Sequence, residues 1–371
     1  MQTPIAHSTS IPSLWWLKGH ASQRELIKAT RSALPQLYQL ASHAQHRPEI
    51  TSLADHALQE PMGKRARLDW VMEQVRVHNI SLLHAGQSGR DYEPLRQALA
   101  QSGCQLISGA LSLADFEAMD DKALFIQRCE HARLAVTPAT VVRSRDELQQ
   151  AMAAAGNERL CVKPVKGVYA AGFWVLNPEV SPFYAFAQPD NRQVHPEQFV
   201  QAYALDPKPY LVMPFLSGQE YSVDLVVLDG KTLAAAIRTK IDSMQHISPW
   251  LPEQTHHVTP REQAVVDLAV RAVDEFKCDG LVNVQLREDA DGTPHLLEIN
   301  ARPSGGIGYG LACGLNLPAI MVANRLGISL PVNYLQPLWV RVTDLPIPIP
   351  APDRNSPPGT PRAQQPEGVS G

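Results

Sequence analysis

The sequence predicts an α/β chain that opens with a parallel βαβ domain. Three observations carry this expectation. Short apolar runs of strand length alternate with segments of helical period through residues 1–117, which implies parallel βαβ units. A run of alternating polar and apolar residues, Leu281–Arg287, is followed by Asp291-Gly292 and a second such run, His295–Asn300, which reads as a β-hairpin. The stretch Arg261–Phe276 places Val265, Leu268, Ala269, Ala272, Val273 and Phe276 on one stripe, the mark of a core helix.

The elements follow in order. Ser13–Leu17 is a short apolar strand, followed by a loop with Gly19 and Ser22 and a helix over Gln23–Leu34. Lys64–His78 is a second helix, with Leu68, Val71, Met72 and Val75 at i, i+3, i+4, i+7 spacing. Ile80–His84 is a buried strand, Asp91–Gln101 a helix stopped by Gly103, and Cys104–Ile107 another strand. Residues 118–345 form a second region and hold nearly all the chemistry. Residues 346–371, with eight prolines among 26 residues, form a disordered Pro-rich tail.

Length and charge bound the function. A chain of 371 residues suggests two or three lobes, and a hydrophobic content of 44% supports a sizeable core. Lys and Arg number 33 against 37 Asp and Glu, a net charge of −4, which argues against binding a nucleic-acid backbone. No run approaches the roughly 18 apolar residues of a membrane span, and Leu14–Leu17 is too short for a signal-peptide core. Five scattered cysteines, an odd number with no C-x-x-C, fit no disulfide framework and point to a cytoplasmic protein.

Three segments carry chemistry. In the hairpin, side chains alternate faces, so Glu298 shares a face with Asn300, and Asn283 with Gln285. If the hairpin is symmetric about its turn, Gln285 lies opposite Glu298 and Asn283 opposite Asn300, beside Arg302. Such hard oxygen donors next to an Arg suit Mg²⁺ bridging phosphate oxygens; an ordinary solvated sheet face explains the same residues. Lys163 lies at a strand end before a loop that keeps Gly167 and Gly172, where a Lys can hold phosphate by point charge. In Tyr210–Val227 a strand bends at Pro214, Gly218 allows a tight turn, and Glu220 starts a new strand, with Asp224 further along.

In order, Asp121-Lys122, Val136-Thr-Pro-Ala-Thr140, Val162-Lys163-Pro164, Gly218-x-Glu220, Asn283-Val-Gln285 and Glu298-Ile-Asn-x-Arg302 resemble the ATP-grasp superfamily, in its carbamoyl-phosphate-synthase-like branch. Ser13-Leu-Trp-Trp16 and Ser22-Gln-Arg24 resemble its tellurium-resistance-operon-associated group. The resemblance implies an α+β ATP-grasp module over 118–345, with a lid at about 136–212 and a core at about 213–345, behind a pre-ATP-grasp domain at 1–117. It implies that Lys122 and Lys163 contact ATP phosphates, that the hinge Met213 to Phe215 reads adenine, and that Glu220 takes the ribose. Gln285, Glu298 and Asn300 would hold Mg²⁺, or Mn²⁺ in its place, and Arg302 would steady the transferring group.

The implied activity is an ADP-forming carbon–nitrogen ligase that activates a carboxylate as an acyl-phosphate for attack by an amine or other nucleophile. Its partners would be small molecules or peptides and, as family members are often dimers, a second copy of the chain. Val168, Tyr169, Ala170 and Ala171 stand where the family is richer in glycine, which restricts the loop's backbone. A non-catalytic ATP-binding scaffold or regulatory protein is therefore the alternative. A carboxyphosphate-forming enzyme is a further variant, marked by bicarbonate-dependent ATP hydrolysis. Arg238 and Lys240 are candidates for an anionic substrate, with His246 behind them; Arg90 and His256-His257 read as ordinary loop residues.

Overall fold

The computed structural model describes residues 12–20, 22–167, 171–241, 244–331 and 335–341. The Pro-rich tail expected at 346–371, and Val168, Tyr169 and Ala170 of the loop thin in glycine, lie outside the described residues. The described residues build three sheets.

The first sheet holds β1 (Ser13–Trp16), β2 (Tyr38–His43), β3 (His56–Gln59), β4 (Leu82–His84) and β5 (Gln105–Ile107), all parallel, in the order β3-β2-β1-β4-β5. The strands expected at 13–17, 80–84 and 104–107 are present. β2 and β3 are additions to the expected elements, and their chemistry explains why. A strand buried on both faces is usually apolar throughout, but β2 carries Gln39 and Ser42. These are buried partners for the two indoles of β1: Trp16 Nε1 donates to Gln39 Oε1 at 2.9 Å and Trp15 Nε1 to Ser42 Oγ at 3.0 Å. The helix expected over 91–101 is broken, as Gly89–Tyr92, a 3₁₀ turn Glu93–Leu95 and Arg96–Gln101. Pro94, which lacks an N–H, interrupts the ladder there.

The link to the second region is β6 (Gly109–Ala110), which pairs with the first residues of β15 (Cys278–Glu288). A helix pair follows, Leu113–Asp120 and Lys122–His131, the latter capped by Asp121, whose side chain accepts from the Ala123 and Leu124 amides. The second sheet then forms from β7 (Thr140–Val142), β8 (Leu160–Pro164), β9 (Trp174–Leu176), β10 (Gln193–Val194) and β11 (Tyr210–Pro214), in the order β10-β9-β8-β11-β7.

The third sheet is antiparallel and runs β16-β15-β12-β13-β14-β17, from β12 (Glu220–Leu228), β13 (Lys231–Ile241), β14 (Met244–Trp250), β15, β16 (Pro294–Asn300) and β17 (Leu338–Val340). Its two faces differ. Val223, Leu225, Ile237, Val282, Val284 and Leu286 pack in one core with Val265, Leu268, Ala269, Ala272 and Val273 of the helix Pro260–Glu275. That helix starts with a capping box, Thr259 with Glu262. On the other face, Val226, Ala234, Ala236 and Leu281 pack with the helix Leu317–Leu326. Further along the same strands that face turns polar, through Ser222, Asp224, Arg238, Asn283, Gln285 and Arg287. Period-two alternation in Val282-Asn-Val-Gln-Leu-Arg287 thus seals one side of the sheet and opens a polar field on the other.

Candidate functional site

The polar field is organised in rows across the strands. Arg238 of β13 lies opposite Ser222 of β12, Ser222 opposite Gln285 of β15, and Gln285 opposite Glu298 of β16. The next row runs from Asp224 to Asn283 to Asn300. The facing of Gln285 on Glu298 and of Asn283 on Asn300 is the one the hairpin sequence predicts. β16 carries one residue more than β15 here: Gln285 pairs Glu298 but Leu286 pairs Leu296, so Leu297 is the extra residue of a β-bulge.

A cavity of about 340 Å³ lies over this field, between the second and third sheets. Lys122, Lys163, Met213, Phe215, Glu220, Gln285, Glu298 and Arg302, all candidates from sequence, line it. The Lys122 Nζ donates to the Gly167 carbonyl at 3.0 Å, and its backbone amide to the Val165 carbonyl at 3.0 Å, tying the helix start to the loop after Lys163. The Lys163 Nζ donates to the carbonyl of Leu297, the bulge residue, at 3.5 Å. Burial holds the Lys163 ammonium below its usual value; the Glu298 carboxylate pulls it back up and Lys122 pushes it down. Met213 lies in β11 against Cys161 of β8, and the Phe215 amide donates to the Arg159 carbonyl at 2.8 Å, fixing the bend between the sheets.

Asn300 lies just outside the cavity lining and joins Glu298 to Arg302. Its Nδ2 donates to Glu298 Oε1 at 2.9 Å, and its Oδ1 accepts from Arg302 Nη2 at 3.1 Å. Arg238 stands at the end of the row, held inside the protein. Its Nε donates to the buried Asp224 at 3.0 Å, and its Nη2 to Ser222 Oγ at 2.7 Å and Ser304 Oγ at 3.0 Å. Lys240 is exposed near the end of β13 and is not among the cavity-lining residues. His256 and His257 lie ring to ring at 3.9 Å in an exposed loop, and Arg90 pairs with Glu117 and Asp120 on the surface.

Some residues of the site escape a reading of the sequence. Thr137 lines the cavity from the edge of β16, where Val136 bridges to Leu296. Leu297 contributes a carbonyl, which no side-chain pattern announces. Arg287 also lines the cavity, and its signal was present: it continues the alternation Asn283, Gln285. On the far side of Arg302 a small cleft is lined by Gly19, His20, Gln23, Gly86 and Gln87 at the carboxyl ends of β1 and β4. His20 there is held below its usual value, first by burial, then by the charges of Arg302 and Lys18.

Among the described residues no group of three or more His, Cys, Asp or Glu side chains is placed to hold a metal. The donor set of Gln285, Glu298 and Asn300 is one carboxylate and two amides. That fits a hard cation such as Mg²⁺, which accepts one or two carboxylates when phosphates complete its shell.

Residues 206–344 match the family described as ATP-grasp in the biosynthetic pathway with Ter operon. The chain is 32% identical over 99 residues to a D-alanine–D-alanine ligase of Actinobacillus pleuropneumoniae, a match covering 25% of this chain and 32% of that protein. It is 35% identical over 102 residues to Carnosine synthase 1 of Mus musculus, covering 26% of this chain and 12% of that one. The chain thus spans about a third, or less, of the curated relatives it matches. Among solved structures, an N5-carboxyaminoimidazole ribonucleotide synthetase in its ADP complex superposes with a TM-score of 0.63 at 15% identity, covering 89% of this chain and 81% of that one. An L-amino acid ligase from Bacillus licheniformis superposes at 0.60 and 15% identity, covering 86% and 75%. With the second sheet, the third sheet and the cavity between them, the chain thus shares the fold of these solved structures, and its residues 206–344 are similar to the family described as ATP-grasp in the biosynthetic pathway with Ter operon.

Proposed function

We propose that the chain is an ATP- and Mg²⁺-dependent carboxylate–amine ligase that forms ADP through an acyl-phosphate. One observation carries the reading: Glu298, Gln285 and Arg302 share a cavity with Lys122 and Lys163. The neighbours in the superfamily, named as ligases and synthetases, support it.

Lys122 and Lys163 hold phosphate oxygens as point charges, and the depressed Lys163 gains most from a dianionic neighbour. The second sheet, carrying Lys163 on β8, acts as a lid over the phosphates. Met213 to Phe215 form the wall for the base, and Glu220 accepts from a ribose hydroxyl. When bound, Mg²⁺ supplies charge that offsets the negative charge developing on the transferring phosphate. Glu298, Gln285 and Asn300 would hold that ion, with Asn300 also fixing the Glu298 carboxylate, and Arg302 faces the acceptor side. Arg238, engaged by Asp224, Ser222 and Ser304, holds the 302–306 loop from behind. The acceptor carboxylate enters beside Arg302, where the cleft with His20 opens. With five free, buried cysteines, we place the protein in the reducing cytoplasm, and size-exclusion chromatography tests the expected homodimer.

ADP release from Mg-ATP, measured against pools of small carboxylates and amines, tests the reading. ADP formation should require both substrates and fall more than tenfold in Glu298→Ala, because losing the carboxylate that would hold Mg²⁺ beside the transferring phosphate costs several kcal/mol in the transition state. A variant that keeps more than a tenth of the rate overturns the assignment of Glu298. ATP binding without turnover on any pool favours the scaffold alternative.

A further inference from the structure

Arg287 occupies a position that the phosphate chemistry does not use. It lies directly opposite Glu220 across β12 and β15, at the end of the cavity away from Glu298. Its Nη1 is 3.6 Å from Glu220 Oε2, and its Nε donates to the Gly218 carbonyl at 3.2 Å. Its guanidinium carbon lies 5.0 Å from the centre of the Phe215 ring, a cation–π distance, and Arg159 lies 4.8 Å from the same ring. One rigid fork therefore touches the base wall, the Gly218 turn and the acid at the start of β12. The Glu220 side chain is half exposed, so without a partner it samples several rotamers.

We propose that Arg287 sets the ribose selectivity of the nucleotide site by holding Glu220 in its hydroxyl-accepting position. The proposal rests on the reading of this cavity as a nucleotide site. Arg287 acts as a positioning residue. In the open cavity its pair with Glu220 is screened by water. A bound nucleoside excludes that water and strengthens the attraction where the hydroxyl is received. The pre-ordered carboxylate then meets a ribose without paying its ordering entropy at the moment of binding.

Calorimetric titration of the full chain with ATP, 2′-deoxy-ATP and 3′-deoxy-ATP, in Mg²⁺ and without acceptor, reads this directly. Wild type should bind ATP roughly 10- to 100-fold tighter than the analogue lacking the hydroxyl that Glu220 receives, the range expected for one hydrogen bond to a charged group. In Arg287→Met that ratio should collapse to within about threefold. Arg287→Lys, which keeps the charge without the fork, should fall between. A folded Arg287→Met that retains the wild-type ratio overturns the proposal. If Arg287→Met does not fold, Arg287→Gln makes the same comparison. Glu220→Ala, which removes the acceptor altogether, separates the failures. If it flattens the ratio while Arg287→Met does not, only the role of Arg287 is wrong. If neither variant changes the ratio, the ribose is not held at Glu220, and the nucleotide reading of that end falls with it.

Discussion

Lys163 carries its charge where burial disfavours it, beside a second ammonium and with a backbone carbonyl at 3.5 Å. That is poor design for stability and good design for receiving phosphate. Lys163→Met should therefore raise the melting temperature by a few degrees at pH 7 while removing the stabilisation that Mg-ATP confers. The sign follows from the depressed pKa. Below the folded-state value the ammonium is charged in both states, and the burial penalty is fully felt. Above it the folded side chain sheds its proton, and the penalty fades toward the ordinary value of 10.5. The gain from Lys163→Met should shrink as pH rises through that window, and thermal scans at pH 7 and pH 10 measure it. A lower melting temperature at pH 7 would mean that the carbonyl bond outweighs desolvation.

Among the elements, the hairpin was legible because period two and an Asp-Gly turn are local signals, and they set which residues face which. β2 and β3 were not, because Gln39 and Ser42 look like surface residues until the indoles of Trp15 and Trp16 are placed against them. The Leu297 carbonyl and the stacking of Arg287 on Phe215 were hidden for the same reason, since both depend on partners distant in sequence. β6 shows how a distant segment supports the site. Gly109 has a φ of +113°, and a Cβ there would stand 2.1 Å from the carbonyl oxygen of Ala301, between Asn300 and Arg302. Gly109→Ala must push that backbone aside. It should destabilise the fold by about 1–3 kcal/mol and weaken Mg-ATP binding or turnover beyond what the stability loss explains. Denaturation and nucleotide titration of one variant test both parts.

At the scale of the molecule, Asp279 ties the first region to the core. It is fully buried, pairs with Arg325 of the helix Leu317–Leu326, and lies 3.7 Å from Arg96, which also bonds Glu93 and Ser108. Its pKa is raised by burial and pulled down by the two arginines. Removing one partner leaves a buried charge under-compensated, so Arg325→Ala should cost about 3–5 kcal/mol. As β6 also pairs with β15, the first region and the core should still unfold together, in one transition by calorimetry; two separate transitions would show that the clamp does not couple them. The donor set has a consequence of similar scope. With one carboxylate beside two amides, Mg²⁺ alone should give no saturable binding below about millimolar concentrations, whereas Mg²⁺ with ATP should bind tightly.

The extra residue in β16 also bears on how such a site can change in descent. Because Gln285 pairs Glu298 and Leu286 pairs Leu296, loss of the single codon for Leu297 would leave both pairings intact and the acid on its face. What would vanish is the carbonyl that Lys163 reaches. No substitution at position 297 does this, since every amino acid brings a carbonyl with it. On the hairpin side the contact is thus inherited as a matter of chain length, which only a deletion removes, whereas on the second sheet it depends on the identity of residue 163.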